Sequence, residues 1–270
     1  MHERERWQLI LAQVRQRGVI RVRDLVNATG ASSATIRRDL TKLMEMGQIN
    51  RIHGGIEMRE MPEQPHLATR AFGVSQGLNV AKKRAVAAAA AQLCNDGESI
   101  ILNAGSTMWY MAEFLRQKQL QILTNSFPIA QELIATSNNR IILAGGEVYR
   151  EQGIILSPFD EDAIQQFTAS KMFMSCSSIT SMGVIEGDPL VTRSETKLLS
   201  RADKLIVVAD SSKFEPRGSM VVCKFSRVHT LITDEGAPAE LLKHIRDQGV
   251  EVIIAQEDMN STATKKFSVA

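Results

Sequence analysis

The stretch 31–44, ASSATIRRDLTKLM, decides how the first part of this chain folds. Ser32 and Ser33 are typical of the amino end of a helix, where a hydroxyl accepts a hydrogen bond from a free backbone N–H. Three aliphatic residues then recur at the spacing that aligns side chains on one helix face, namely Ile36, Leu40 and Leu43. The stretch therefore predicts a helix that buries one aliphatic stripe and exposes its remaining faces.

The exposed faces of this predicted helix carry hydroxyls and cations near its amino end. Arginine pairs bidentately with guanine or clamps a phosphate, and hydroxyls at a helix N-terminus suit phosphate oxygens. We therefore predict that the helix enters the major groove of double-stranded DNA, with contacts from Ser32, Ser33, Thr35, Arg37, Arg38 and Lys42. A protein-interaction module with a solvated basic face is the alternative.

The neighbouring segments complete a predicted winged helix-turn-helix over residues 1–57. Apolar residues between 7 and 14 predict a first amphipathic helix, and 22–28 with the turn Thr29-Gly30 predicts a second. Segments 48–52 and 56–58 flank His53-Gly54-Gly55, which is typical of a two-stranded wing with a glycine turn. Arg51 and His53 on this wing are predicted to contact phosphates or the minor groove.

The distribution of charge agrees with a nucleic-acid partner. Residues 1–60 hold 11 Lys/Arg and 7 Asp/Glu, a net charge of +4, which leaves the remaining chain at −2. A basic small module beside a mildly acidic larger one suits a polyanion at the N-terminal module. Random scatter of surface charge is the alternative.

The length, the cysteines and the apolar runs of the chain indicate how many domains it has and which classes of protein it does not resemble. The 270 residues suit two unequal domains. The three cysteines form no CxxC motif or Cys/His cluster, so we expect no metal site and no disulfide framework. The N-terminal residues lack the apolar segment of a signal peptide, and no apolar run approaches the ~18 residues of a membrane span. We therefore predict a cytoplasmic protein with no membrane partner.

Residues 78–256 alternate short β-branched runs with helical stretches, which predicts a Rossmann-like parallel-sheet domain of the α/β class. The predicted strands are 99–102, 120–124, 140–144, 204–209, 230–233 and 250–254. The predicted helices are 81–93, 108–117, 128–135, 192–201 and 239–247. Residues 58–77, which contain Pro62, Pro65 and Gly73, are predicted to form a linker, and 257–270 a flexible tail.

The turn after the first predicted strand of this domain has the composition of a phosphate site. It consists of Asn103, Ala104, Gly105, Ser106 and Thr107. The glycine allows close backbone approach, and the two hydroxyl residues stand at the N-terminus of the next predicted helix, where anions bind. The alternative is an ordinary strand-to-helix turn, which also favours Gly, Ser and Thr.

Further polar turns follow other predicted strands, and a parallel sheet brings such turns to one edge. The candidate effector-binding residues in them are Thr124, Asn125, Ser126, Gly145, Gly146, Ser175, Asp210 and Lys213. Lys213 would supply a point charge for a phosphate. Glu195 and Lys197 are predicted to reach the same cleft, with a solvated pair of side chains as the alternative.

These motifs carry a resemblance to a known family. Residues 5–57 resemble the helix-turn-helix of the DeoR family of bacterial repressors, through Ser33–Leu40 and the wing His53-Gly54-Gly55. The second domain resembles the sensor domain of that family at 103–107, 124–125 and 210–213. Two positions depart from the family pattern. Asn103 stands where an acid is usual, and Val22-Arg23 lacks the serine or threonine that often caps the second helix.

The resemblance implies a transcriptional repressor of a sugar-catabolic operon that binds operator DNA as a homodimer or homotetramer. It also implies that a phosphorylated sugar or sugar acid binds the second domain as effector, because sensor domains of this family are similar to sugar-phosphate isomerases. Together with 155–158, the Asn103 turn resembles the ascorbate-utilisation branch, which implies an effector such as ascorbate 6-phosphate.

We predict no catalytic activity and no cofactor. The alternative is an enzyme similar to a sugar-phosphate isomerase or deaminase that carries an accessory DNA-binding module. Such chemistry needs a general base beside the reacting carbons of the sugar, and the side chain of Asn103 cannot serve as one.

Overall fold

A computed structural model describes most of the chain, namely residues 2–17, 19–46, 48–52, 55–58, 70–159 and 162–256. The chain divides into two compact units, residues 1–65 and residues 66–270. The helices of the first unit are α1 (Glu3–Arg17), α2 (Val22–Thr29) and α3 (Ser33–Glu45). Its strands are β1 (Val19–Ile20), β2 (Ile49–Ile52) and β3 (Gly55–Met58).

The first unit is built as the sequence predicts, around the aliphatic stripe of α3. Ser32 caps this helix, with its hydroxyl accepting from the backbone N–H of Thr35 at 3.2 Å. The three stripe residues are buried against α1, α2 and the wing. As expected from Val22-Arg23, α2 begins without a side-chain capping hydrogen bond, and it ends at Gly30 in the left-handed region, with φ 66.

The wing is an antiparallel sheet in the order β1-β3-β2. Strands β2 and β3 pair from Ile49 opposite Met58 to Ile52 opposite Gly55, as the sequence predicts. His53 and Gly54 between them lie outside the described residues. Strand β1, with only two residues, gives no periodic signal in the sequence, and its pairing with β3 is visible only in the structure.

A buried ion pair ties α3 to α1. Asp39 is 1% exposed although it stands in the middle of the predicted DNA-contacting helix. Its carboxylate accepts hydrogen bonds from the Arg6 guanidinium at 3.1 Å and from the Trp7 indole N–H at 3.0 Å. Burial by itself raises the pKa of Asp39, but the hydrogen bonds from Arg6 and Trp7 outweigh it and hold the pKa below its usual value.

The second unit contains six helices and twelve strands within its described residues. The helices are α4 (Phe72–Gln76), α5 (Val80–Gln92), α6 (Ser106–Phe114), α7 (Phe127–Thr136), α8 (Pro189–Leu199) and α9 (Ala239–Asp247). The strands are β4 (Ser99–Leu102), β5 (Gln121–Thr124), β6 (Arg140–Leu143), β7 (Glu147–Tyr149), β8 (Ile154–Leu156), β9 (Ala169–Met174), β10 (Ser178–Thr180), β11 (Gly183–Glu186), β12 (Ala202–Val208), β13 (Met220–Cys223), β14 (Val228–Asp234) and β15 (Glu251–Ala255). Short 3-10 turns cover Ala163–Gln166, Ser211–Phe214 and Phe225–Arg227.

Seven parallel strands form the main sheet, in the order β15-β14-β12-β9-β4-β5-β6. Apolar clusters cover both faces of this sheet, which explains why its strands are continuous apolar runs rather than alternating ones. Each of the six strands predicted from the sequence is present within one or two residues of its predicted bounds. The predicted α/β fold class is confirmed.

The central strand β9 is the main element that the sequence did not predict. Its apolar run is interrupted by Lys171, which resembles a surface residue in the sequence. In the structure the Lys171 ammonium lies 2.6 Å from a carboxylate oxygen of Glu98 and donates to the Leu93 carbonyl at 2.7 Å. These partners satisfy the charge at the end of the strand, so β9 can pair with β4 and β12.

The structure differs from the sequence prediction in the segment 58–77. Helix α4 lies within the predicted linker, and three hydrogen bonds hold it to the rest of the second unit. The Phe72 amide donates to the Glu151 carbonyl at 2.7 Å, the Tyr110 hydroxyl donates to the Gln76 carbonyl at 3.0 Å, and the Lys83 ammonium donates to the Ser75 carbonyl. A helix of five residues is too short for a periodic pattern, so only these contacts reveal it.

Two other parts of the domain prediction lie outside the described residues. These are the linker residues 59–69 and the predicted tail 257–270. Within the described residues, no helix has the length and apolar character needed to cross a membrane.

The ion pair between α1 and α3 generates a stability prediction. Asp39→Ala would leave the largely buried Arg6 without its partner, and we expect the first unit to lose about 3 kcal/mol of unfolding free energy. Urea unfolding followed by Trp7 fluorescence, in a Trp109→Phe background that leaves Trp7 as the remaining tryptophan, measures this unit. Glu45→Ala, which removes an exposed acid at the end of α3, serves as the control and should change the value by less than about 0.5 kcal/mol. Equal effects of the two substitutions would contradict the prediction.

Candidate functional site

The turn after β4 approaches the neighbouring strand so closely that it requires glycine. Gly105 has φ 150, and a Cβ atom placed on it would lie 2.2 Å from the Ser175 hydroxyl oxygen. Any side chain at this position would therefore displace the Ser175 hydroxyl, and it would be strained at this positive φ. The close approach brings the N-terminus of α6 beside the carboxyl end of β9.

Two buried asparagines hold the ends of three adjacent strands together. The Asn103 side chain donates to the Ser175 carbonyl and accepts from the Ser175 amide, both at 2.9 Å. The Asn125 side chain accepts from the Ala104 amide at 2.8 Å and donates to the Ser194 hydroxyl at 3.2 Å. The carboxyl ends of β4, β5 and β9 are thereby locked to one another and to α8.

A cavity of about 480 Å³ opens at this edge of the sheet. Seven of the residues predicted from the sequence line it, namely Ala104, Gly105, Ser106, Thr107, Ser175, Glu195 and Lys213. The sequence analysis missed the remaining lining residues, namely Arg70, Phe72, Ser75, Gln152, Ile154, Cys176, Ser177, Glu186, Gly187, Val191, Arg217 and Gly218. Most of these stand in loops or in the segment taken for a linker, where periodicity carries no information.

Five predicted site residues are buried around the cavity rather than along its wall, namely Asn103, Thr124, Asn125, Ser126 and Asp210. Thr124 and Ser126 organise the start of α7, where the Thr124 hydroxyl accepts from the Ser126 amide at 3.1 Å. Asp210 accepts from the Ser212 amide at 3.0 Å and from the Asn79 side chain at 3.3 Å. In this structure these side chains shape the loops that form the cavity.

Three further predicted residues lie away from this cavity. Gly145 and Gly146 follow the edge strand β6 and are absent from its lining, and a Cβ atom on Gly146 would lie 2.4 Å from the Leu156 carbonyl oxygen. Lys197 forms an ion pair with Asp162 at 2.6 Å and lines a separate cavity of about 560 Å³. The expectation that Glu195 and Lys197 reach one cleft is therefore corrected, because residues two apart on a helix point in nearly opposite directions.

Cationic side chains surround one part of the main cavity. Arg70, Lys213 and Arg217 line it directly. Lys83 lies behind the wall and donates to the Ser106 hydroxyl at 2.9 Å. Burial lowers the pKa of Lys83 to about 8, an effect that the nearby Asp210 carboxylate opposes. With the N-terminus of α6, these groups form an environment suited to an anion.

Two buried carboxyl groups also line the cavity. Burial raises the pKa of Glu186, although both of its oxygens accept hydrogen bonds, from the Ser177 amide and hydroxyl and from the Gly187 amide. Burial raises the pKa of Glu195 to about 8, and the charge of Glu186 adds to the shift, while the Asn103 and Asn125 side chains oppose it. Glu195 is therefore mainly uncharged at neutral pH.

The predicted DNA-contacting face of α3 is present in the first unit. Ser33, Arg37 and Arg38 are exposed, as is Arg51 on β2, and Thr35 is half-buried. The Ser32 hydroxyl lies 2.8 Å from that of Thr35. Lys42 pairs with Glu3 and lies 5.6 Å from the centre of the Trp7 ring. A contact between Lys42 and DNA would have to compete with these two partners.

The described residues hold no group of three or more His, Cys, Asp or Glu side chains placed to bind a metal ion. His53, which the sequence places on the wing, lies outside those residues. The geometry thus presents two features with distinct chemistry, a basic helix face and a cavity with cationic and uncharged acidic parts.

Comparison with known proteins identifies the class to which these features belong. Residues 6–61 match the DeoR-like helix-turn-helix domain, and residues 78–235 match the DeoR C terminal sensor domain. The chain is a member of the DeoR family of transcriptional regulators. It is similar along most of its length to the HTH-type transcriptional regulator UlaR of Shigella dysenteriae serotype 1 and of Escherichia coli. Each is 34% identical over 253 residues, which cover 94% of this chain and 99% of the relative.

Similar solved structures include two ribose 5-phosphate isomerases A. That of Methanocaldococcus jannaschii has a TM-score of 0.37 and 18% identity, over 49% of this chain and 53% of that one. That of Neisseria gonorrhoeae has a TM-score of 0.36 and 18% identity, over 56% of this chain and 57% of that one. In both cases the match spans little more than half the length of the isomerase.

The buried carboxyl of Glu195 generates a prediction on pH. Because its pKa rises from 4.5 to about 8 on folding, the folded chain holds more protons than the unfolded chain between these values. The free energy of unfolding should therefore fall as the pH rises through this window. Glu195→Gln removes that ionisation, so its stability relative to the wild type should increase from pH 5 to pH 8. Thermal melts across this range provide the measurement.

Glu235→Gln, which changes an exposed acid, is the control and should give a melting difference that does not vary with pH. A constant difference between Glu195→Gln and the wild type across the range would show that Glu195 titrates as it does in the unfolded chain.

Proposed function

We propose that this chain is a transcriptional repressor that binds operator DNA through α3 and the wing. We further propose that a phosphorylated sugar or sugar acid controls it by binding in the cavity of the second unit. The observation that carries the proposal is the cationic part of that cavity, at the carboxyl ends of the parallel strands. The membership of the chain in the DeoR family and its similarity to UlaR support the regulatory role.

The phosphate of the effector is assigned to the N-terminus of α6 and the cations around it. Free backbone N–H groups at a helix N-terminus bind phosphate oxygens, and Gly105 allows the ligand to approach them closely. Lys213 and Arg217 follow β12, and Arg70 lies just before α4. Arg217 pairs with Glu215 at 2.7 Å and would exchange this partner for the ligand, so that the three cations together can neutralise a phosphate dianion.

The operator contact is assigned to the exposed face of α3. Its buried stripe and the ion pair of Asp39 fix the orientation of the helix within the unit, which leaves Arg37 and Arg38 directed outward. Side chains of the first two turns of such a helix reach base edges and phosphates in the major groove. Arg51 supplies a further cation on the wing.

Control by the effector requires that the effector bind the DNA-bound state of the protein and its DNA-free state with different affinities. A tenfold change in DNA affinity needs about 1.4 kcal/mol of coupling between the two sites. We place this coupling in a homodimer or homotetramer, in which the effector changes the relative placement of paired DNA-binding units. Symmetric oligomers of this kind match the two-fold symmetry of operators.

An isomerase-like or deaminase-like enzyme is the second candidate, because Glu186 and Glu195 are buried carboxyls in a ligand-sized cavity. General acid–base catalysis needs such groups with shifted pKa values. Asn103 stands at the position where the family pattern has an acid, and it hydrogen-bonds Ser175 instead. Turnover of ribose 5-phosphate or glucosamine 6-phosphate above background would favour the enzyme.

The phosphate assignment predicts the effect of Lys213→Ala. We expect this substitution to weaken the binding of a phosphorylated ligand by at least about tenfold, because it removes a charge-assisted hydrogen bond. A thermal-shift panel of ribose 5-phosphate, glucosamine 6-phosphate and ascorbate 6-phosphate, followed by calorimetry, measures it. Lys243→Ala, on the exposed side of α9, is the matched control. If the two variants bind the ligand equally well, the phosphate lies elsewhere.

The DNA assignment predicts the effects of Arg37→Ala and Arg38→Ala. Each should weaken operator binding, and where the arginine contacts a phosphate the slope of log affinity against log salt should fall by about one. Fluorescence anisotropy with promoter DNA at several salt concentrations measures both quantities. Arg246→Ala, exposed on α9, should leave them unchanged. If both arginine variants keep the wild-type DNA affinity and salt slope, the duplex binds another surface of the protein.

A further inference from the structure

One buried polar atom on the cavity wall has no partner. Among the described residues, five buried side-chain atoms lack a hydrogen bond, and they belong to Arg116, Glu195, Arg201, Asp210 and Thr233. Of these residues only Glu195 lines the main cavity, and it is 1% exposed. A buried polar atom without a partner costs about 1–3 kcal/mol. The Oε2 atom of Glu195 is therefore the point at which a bound ligand gains most from a hydrogen bond.

The carboxyl of Glu195 is held in position by its neighbours. The side chains of Asn103 and Asn125 lie beside it and oppose the rise in its pKa that burial causes. Both amides are themselves fixed, Asn103 by the Ser175 backbone and Asn125 by the Ala104 amide and the Ser194 hydroxyl. The free oxygen is thus part of a rigid arrangement that exists before a ligand binds, and rigid groups bind with less loss of entropy.

The charges around the two cavity carboxyls separate them into different environments. Lys213 opposes the rise in the pKa of Glu186 that burial causes, whereas the ionisable neighbour that acts on Glu195, beside the effect of burial, is Glu186 itself. Lys213 therefore acts more strongly on Glu186 than on Glu195. An uncharged carboxyl both donates and accepts a hydrogen bond, which is the pattern that a hydroxyl group complements.

We infer that Glu195 is the specificity-determining residue of the cavity, and that its free oxygen hydrogen-bonds a hydroxyl on the carbon skeleton of the ligand, away from Lys213. The ligand class is a phosphate ester with a hydroxylated carbon chain. We expect inorganic phosphate to occupy the cationic part and to leave this oxygen without a partner. The inference rests on the proposed effector site and adds the group that distinguishes a sugar phosphate from phosphate alone.

The test compares two ligands on the full-length protein and four variants, one of which is the Lys213→Ala variant described above. Calorimetry measures the dissociation constants of inorganic phosphate and of the tightest-binding compound among ribose 5-phosphate, glucosamine 6-phosphate and ascorbate 6-phosphate. Glu195→Met removes the hydrogen-bonding atoms and keeps the length of the side chain, and Glu195→Gln keeps an uncharged donor and acceptor. The exposed substitution Glu235→Gln is the control.

We expect Glu195→Met to weaken sugar-phosphate binding by about tenfold, as the loss of one hydrogen bond in a buried site implies. Its affinity for inorganic phosphate should stay within about twofold of the wild type. Glu195→Gln should retain sugar-phosphate binding to within about threefold at pH 7. Lys213→Ala, by contrast, should weaken both ligands, because it acts on the phosphate that they share.

Three results would overturn the inference. If Glu195→Met binds the sugar phosphate as tightly as the wild type while the ligand still releases DNA, the inference fails and the proposed function stands. If Glu195→Met weakens both ligands equally, Glu195 supports the cavity as a whole rather than reading the sugar. If no compound binds the wild type more tightly than inorganic phosphate does, the sugar-phosphate effector and the inference fail together.

Discussion

The paired hydrogen bonds between the Asn103 side chain and the backbone of Ser175 are the constraint on which the sensor cavity depends. They join the carboxyl ends of β4 and β9, the two strands at the centre of the sheet. With this connection in place, Gly105 can lie against Ser175 and the N-terminus of α6 faces the cavity. An aspartate at position 103 would accept from the Ser175 amide but could not, when ionised, donate to its carbonyl.

The cavity combines two kinds of charge environment in one small space. Cations and a helix N-terminus form one part, and carboxyls whose ionisation is opposed by burial form the other. Such an arrangement suits a ligand that carries a phosphate at one end and hydroxyl groups at the other. It also explains why a cavity with the elements of an acid–base site fits a regulator, because the same hydrogen bonds that could move a proton also give affinity and specificity.

In the DNA-binding unit, α3 exposes its arginines to solvent while only a few buried residues hold the helix in place. The aliphatic stripe supplies the hydrophobic contact, and the pairing of Asp39 with Arg6 and Trp7 adds a directional one. A unit of this size buries a smaller fraction of its surface than a larger domain does, so each such contact is a large part of its stability. The outward arginines are left available because Asp39 pairs with Arg6 from α1 instead.

Local patterns in the sequence determined the winged helix-turn-helix, the order of most strands and helices, and the turn that opens α6, because periodicity, capping and turn composition act between residues close in the chain. Only the tertiary structure decided that β9 with its Lys171 is the central strand, that α4 and Arg70 belong to the cavity, and that Glu195 faces it while Lys197 does not. No sequence pattern marks Asp39 as buried, and only the structure shows its pairing with Arg6, 33 residues away. Contacts between residues far apart in the chain leave no periodic trace in the sequence, and such contacts decide which polar side chains are buried, paired or left free for a ligand.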